Sequence, residues 1–144
     1  MSAMVKNFMA MPILLKLFTA SALVVLLFVL ETMLPHGSVR VFDRQVTTSE
    51  WWASGAGPSM LIVAGLFCSS AVYMLRRSRY GRPTYILALI ALFISVPYVA
   101  GVTGNGVATV SKSSLIADLL TTLGIAVYLY LSRGTRNYFR SPTG

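Results

Sequence analysis

Acidic residues are scarce: Glu31, Asp43, Glu50 and Asp118 are the four in 144 residues, beside one cysteine, Cys68, and one histidine, His36. A single cysteine excludes an intrachain disulfide, and without a His/Cys cluster there is no ligand set of the zinc type. Charged residues make up 11% of the chain against 56% hydrophobic, where soluble domains carry roughly 25% charged. A water-soluble surface cannot be built from that. Phosphate-binding loops are missing too, because the Gly-x-Gly of "GVTGNGV" (residues 101–107) follows no strand and precedes no Lys-Ser/Thr. No cofactor is expected.

What the chain does have is apolar residues in four blocks. A bilayer core about 30 Å thick takes roughly 20 helical residues to cross. The blocks at about 11–34, 58–76, 83–102 and 113–132 each meet that length. The expected fold is an all-α integral membrane protein, a four-helix transmembrane bundle forming a single membrane domain over 1–144. It leaves an outer loop at 35–57, a hairpin at 77–82 and a tail at 133–144. Pro12 suits a helix start, and Lys16 reaches the nearer surface by snorkelling. The first block lacks a small-x-small cleavage site, so it reads as a retained anchor and not as a signal peptide.

Basic residues are distributed unevenly. Lys6, Lys16, Arg76, Arg77, Arg79, Arg82, Arg133, Arg136 and Arg140, nine in all, fall on one side of the spans, while Arg40, Arg44 and Lys112, three, fall on the other. The positive-inside rule then places both termini in the cytoplasm, with the plasma membrane, specifically a bacterial inner membrane, as the expected location. The aromatics agree with a membrane belt: Trp51 and Trp52 precede the second span, and Tyr80, Tyr128, Tyr130 and Tyr138 gather toward the basic side.

The outer loop, "PHGSVRVFDRQVTTSEWWASGAG", carries Thr47 three residues before Glu50, a capping-box spacing. A short interfacial helix near 48–53 is expected, held by its tryptophans. The preceding "SVRVFDRQVT" alternates weakly, as an extended pair would. Glu31, His36 and Glu50 are the acid and base groups a lipid-modifying enzyme would use there, yet no spacing among them specifies a catalytic site, and a loop role is the simpler reading.

Asp118 is the one acid inside a span, a position that by default suggests function. Ser114, Asp118, Thr121, Ile125, Tyr128 and Ser132 recur at alternating four and three, so they share one helix stripe. Such a stripe is expected to face protein. Small residues that let helices approach closely are Gly65 and Ser69 in the second span and Ala88, Ala91 and Ser95, with Tyr98, in the third. Pro97 removes a backbone donor and is expected to kink the third span. Cys68 reads as a packing residue.

The stretch "MLRRSRYGRPTY" (residues 74–85) holds Arg76, Arg77, Arg79 and Arg82. At the C-terminal end of a span these cations complement the helix dipole, Gly81 permits a turn and Pro83 opens the next helix. This is a topological hairpin and not a nucleic-acid patch. Arg133, Arg136 and Arg140 in the tail anchor to an anionic inner leaflet. The layout is similar in size and topology to immunity proteins against pore-forming bacteriocins, a likeness that carries no residue across. The expected role is binding to another membrane component, as accessory subunit, regulator or immunity-type protein, or self-association. The alternative is proton- or cation-coupled transport through Asp118, and a lipid-modifying enzyme ranks below both.

Overall fold

A computed structural model describes residues 3–32, 34, 38–41, 44–104 and 112–140, with backbone but not side chain for Lys112 and Ser114. Most of it is helix. The elements run α1 (Ala3–Met9), α2 (Ile13–Glu31), β1 (Ser38–Val41), β2 (Arg44–Thr47), α3 (Thr48–Ala53), α4 (Ala56–Leu75), α5 (Gly81–Val102), α6 (Lys112–Leu131) and α7 (Arg133–Arg140). By length and composition α2, α4 and α5 each suffice to cross a membrane, and α6 with α7 makes a fourth if the pair, bent by 53°, is counted together.

The long helices are apolar nearly all round, so small and aromatic residues decide their contact faces. α4 lies between α2 and α5. Its buried stripe is Val63, Ala64, Phe67, Ser70, Ala71 and Met74, facing Leu15, Thr19 and Ala22 of α2 and Tyr85 and Ala88 of α5. Ala64, Ala71, Ala22 and Ala88 let the backbones close together, and the aromatics fill what remains. Phe67 meets Tyr85 edge-on with ring centroids 5.4 Å apart, Phe18 lies 5.6 Å from the same ring, and Tyr128 of α6 closes on Phe18 at 5.8 Å. Each such pair adds about 0.5–1.5 kcal/mol beyond the area it buries. The aliphatic hydroxyls of Thr19 and Ser70 in this core bond to their own helices: Thr19 donates to the Leu15 carbonyl at 2.8 Å and Ser70 to that of Phe67 at 2.6 Å.

A second, smaller core sits at the loop end. β1 and β2 pair antiparallel with Val39 opposite Val46 and Val41 opposite Arg44. That register puts the three valines on one face, over Trp51, Ala56 and Val99. The weak alternation was therefore a real hairpin, a departure from a purely helical chain. The capping expectation also holds, since the Thr47 hydroxyl accepts from the Glu50 N–H at 3.2 Å and α3 starts at the next residue. Gly55 turns α3 into α4 in the left-handed region, φ 85°, where a Cβ would also meet the Tyr98 hydroxyl at 2.7 Å. α5 runs through Pro97 as one helix.

The bundle is not closed. α6 packs on α5 and α7, and near its C-terminal end Leu129 is fully buried and Tyr128 reaches α2. Toward the loop end Ile116, Leu119, Leu120 and Leu123 are all exposed. The arrangement is a three-helix core with a fourth helix joined at one end.

Candidate functional site

The divergence of α6 determines the setting of Asp118. Asp118 and Thr121 are exposed, as is Gly124, whose missing Cβ would meet nothing within 4 Å. Thr121 donates to the Ala117 carbonyl of its own helix at 2.8 Å. Asp118 makes no hydrogen bond or ion pair among the described residues. The polar stripe thus splits, because Ile125, Tyr128 and Ser132 are partly covered by protein while Asp118 and Thr121 are exposed in the gap where α6 parts from α5. Ser114's side chain lies outside the described parts. Between the two helices, Leu89, Leu92, Phe93 and Val96 of α5 face Asp118, Thr121 and Thr122 across a cleft of about 310 Å³. Tyr98 does not join them, since its hydroxyl lies over Gly55.

The expected packing residues divide in the same way. Ala88 is buried in the core, and Ala91 and Ser95 are half-buried. Gly65 and Ser69 are exposed, with open space around Gly65. The close-packing stripe of α4 is the neighbouring one, through Ala64 and Ala71. Cys68 is half-buried and free.

At the loop end the tryptophans face inward. Trp51 is 6% exposed in the small core, and the Trp52 indole donates to the Thr32 carbonyl at 3.1 Å, tying α3 to the end of α2. Trp51 packs against the hairpin valines, while Trp52 stays half-buried. Arg44 clamps this cap from the other side, donating to the Thr103 carbonyl at 3.0 Å and pairing with Glu50 at 3.2 Å. Glu31 is exposed at the end of α2. Glu50 is therefore engaged structurally, and His36 lies outside the described residues. Among the described residues no three His, Cys, Asp or Glu side chains converge.

The arginine end is assembled around the last turn of α4. Among the described residues Arg77 is the non-glycine position in the left-handed region, φ 53°. Its N–H bonds the Met74 carbonyl at 3.0 Å and that of Ser78 bonds Tyr73 at 2.8 Å, the two bonds of a Schellman cap. A side chain there costs about 1–2 kcal/mol. The Arg77 guanidinium offsets it by lying 4.8 Å over the Tyr138 ring. Tyr138 in turn donates its hydroxyl to the Met74 carbonyl at 3.0 Å, and Asn7 of α1 donates to Leu75 at 2.9 Å, so two terminal carbonyls gain side-chain partners. Burial pushes the Tyr138 hydroxyl above its ordinary value, with Arg77 opposing, so it stays a donor at neutral pH. Gly81 has a different role from the turn expected of it: it is the first residue of α5, pressed against Met74.

The tail expected at 133–144 contains α7, whose Thr135 and Tyr138 are buried while Arg133, Arg136 and Arg140 are exposed. The signal was present: the arginines recur at three and four, as one stripe of a helix does. α1 carried no comparable pattern. Of the hairpin arginines, Arg76 is exposed and Arg79 is tied to Tyr80, donating to its hydroxyl at 3.1 Å.

No family model, curated protein or solved structure matches the chain.

Proposed function

We propose that this is a multi-pass membrane protein that works by binding another membrane protein, as accessory subunit, regulator or immunity-type protein, through the loop-end half of α6. The termini and the arginine end face the cytoplasm and the hairpin cap faces the opposite side, in keeping with nine basic residues against three. A bacterial inner membrane is the setting this implies.

Asp118 carries the reading. It lies six residues into α6, about 9 Å along the axis, on the side turned across the cleft toward Leu89, Leu92, Phe93 and Val96 of α5. A carboxylate facing hydrocarbon is costly, about 2.5–3.5 kcal/mol at a helix centre. A lysine or arginine on a neighbouring protein's helix removes that cost by pairing with the carboxylate. The cleft beside Asp118 favours a second reading, a proton or cation site in a small transporter. Its four apolar residues and single acid suit an inserted apolar side chain better than a hydrated ion.

A photoreactive amino acid at Thr121 tests the proposal in native membranes, with Ile62 on the exposed face of α4 as the comparison. A discrete protein adduct from Thr121 and none from Ile62 is expected, and it should vanish in Asp118→Leu. Lipid adducts alone at both positions would refute the reading, and an adduct at twice the chain's mass would replace the partner with a second copy. For the transport reading, flux in proteoliposomes unchanged by Asp118→Asn excludes Asp118 as the ion site.

A further inference from the structure

The hairpin arginines and the tail arginines come from segments more than fifty residues apart, yet they meet. Arg79 just before α5 and Arg82 in its first turn, with Arg136 and Arg140 from α7 and with Tyr130 and Phe139, enclose a pocket of about 370 Å³, within the range of about 300–1,000 Å³ common for small-ligand sites. The bend between α6 and α7 makes this possible, because it folds the tail helix back across the mouth of α5. No acid lines the pocket. Of the described acids, Glu31 and Glu50 belong to the loop end and Asp118 to the far half of α6.

Arg82 is the strained member. Its guanidinium is half-buried, 4.3 Å over the Phe139 ring and 5.9 Å over that of Tyr130. Its Nη2 donates to the Thr135 carbonyl at 3.3 Å, and its buried Nε has no partner among the described residues. Arg136 and Arg140 repel it. Cations drawn partly out of water and set beside one another are unfavourable unless an anion neutralises them. Planar guanidinium groups pair bidentately with phosphate, whose several oxygens can accept from more than one of the converging arginines.

Above the pocket, a strip of α6 rises from its wall. Tyr130, Val127, Leu123 and Leu120 follow at three and four residues, and all four are exposed. A ligand with an anionic head in the pocket and a hydrocarbon chain along that strip satisfies both surfaces.

We propose that the pocket between α5 and α7 binds the phosphate headgroup of an anionic phospholipid, with an acyl chain lying along Leu120, Leu123 and Val127. This goes beyond attraction of a basic tail to a charged leaflet, because it assigns one lipid to one cavity. It requires the membrane placement but not the partner on α6, so either proposal can fail alone.

The test uses the full chain in zwitterionic detergent, with bound lipid counted by native mass spectrometry. Phosphatidylglycerol should bind in a saturable one-to-one manner and phosphatidylcholine at least tenfold more weakly. Arg136→Gln and Arg140→Gln, both exposed positions that leave the core intact, should each weaken phosphatidylglycerol about tenfold, the loss of one charge-assisted contact. Lys6→Gln removes the same charge at the same end but outside the pocket, and should leave affinity within about twofold. Equal weakening by Lys6→Gln would overturn the site in favour of diffuse surface charge. Equal affinity for phosphatidylcholine would also overturn it. Displacement of the lipid by millimolar inorganic phosphate would assign the pocket to a free phosphate and overturn the lipid proposal.

Discussion

Gly81→Ala should loosen the joint between α4 and α5, and its cost can be worked from the contact. A Cβ at Gly81 would stand 3.0 Å from the Met74 Cγ, 3.0 Å from the Met74 backbone nitrogen and 3.3 Å from its Cα. The Cγ can swing aside, but the backbone atoms belong to the last turn of α4, which Tyr138 and Asn7 hold by its carbonyls. The helices must therefore part by several tenths of an ångström, an overpacking cost of about 1–3 kcal/mol. Alanine's better helix propensity opposes this by up to about 1 kcal/mol. Gly65→Ala supplies the correction, since its Cβ would meet nothing within 4 Å. The difference between the two variants isolates the contact, and should be about 1–3 kcal/mol with Gly81→Ala the less stable. Denaturation of the detergent-solubilised chain by increasing SDS, followed by helix content, measures it. Equal midpoints for the two variants would refute the close approach, and with it the packing stripe through Met74.

Two further outcomes follow from the loop-end cap. Arg44→Gln loses both the Thr103 carbonyl bond and the Glu50 pair and should destabilise the cap by about 1–2 kcal/mol, whereas Glu50→Gln, which breaks only an exposed pair, should cost under about 1 kcal/mol; hydrogen exchange of the β1 and β2 amides distinguishes them. Trp51 is buried, so in Trp52→Phe the remaining indole fluorescence should resist aqueous iodide, and ready quenching would place Trp51 at the surface instead.

The sequence disclosed helix positions far better than helix faces. Helices α2, α4 and α5 end within a few residues of the expected limits because length and apolarity locate them, and Thr47 with Glu50 located α3. Within a span that is apolar all round, periodicity carries little information about which side packs. α4 contains two stripes of small residues, through Gly65 and Ser69 and through Ala64 and Ala71, and spacing treats them alike. What separates them is the shape of Phe67 and Met74 beside the second stripe, which engage Tyr85 and the Arg77 turn. The Arg77 conformation was hidden for a related reason: Gly81 was the obvious turn former, yet a cation–π contact from a helix sixty residues away holds a non-glycine residue in the left-handed region. Such terms are non-local, and no window along the chain contains both partners.

The two ends of the molecule explain why α6 stands apart. At the arginine end it is held by Leu129 in the core, by Tyr128 on Phe18 and by α7 folding back over α5. Toward the loop end Leu119, Leu120 and Leu123 are exposed on the side of α6 turned away from Asp118, so none of them draws the helix toward α5. Closing the helix requires polar or small-residue complementarity, and the facing side of α5 supplies Leu89, Leu92, Phe93 and Val96. Asp118 and Thr121 find no donors there. The same chemistry that keeps α6 from closing on its own chain leaves its carboxylate unpaired among the described residues, which is the premise of the partner proposed above.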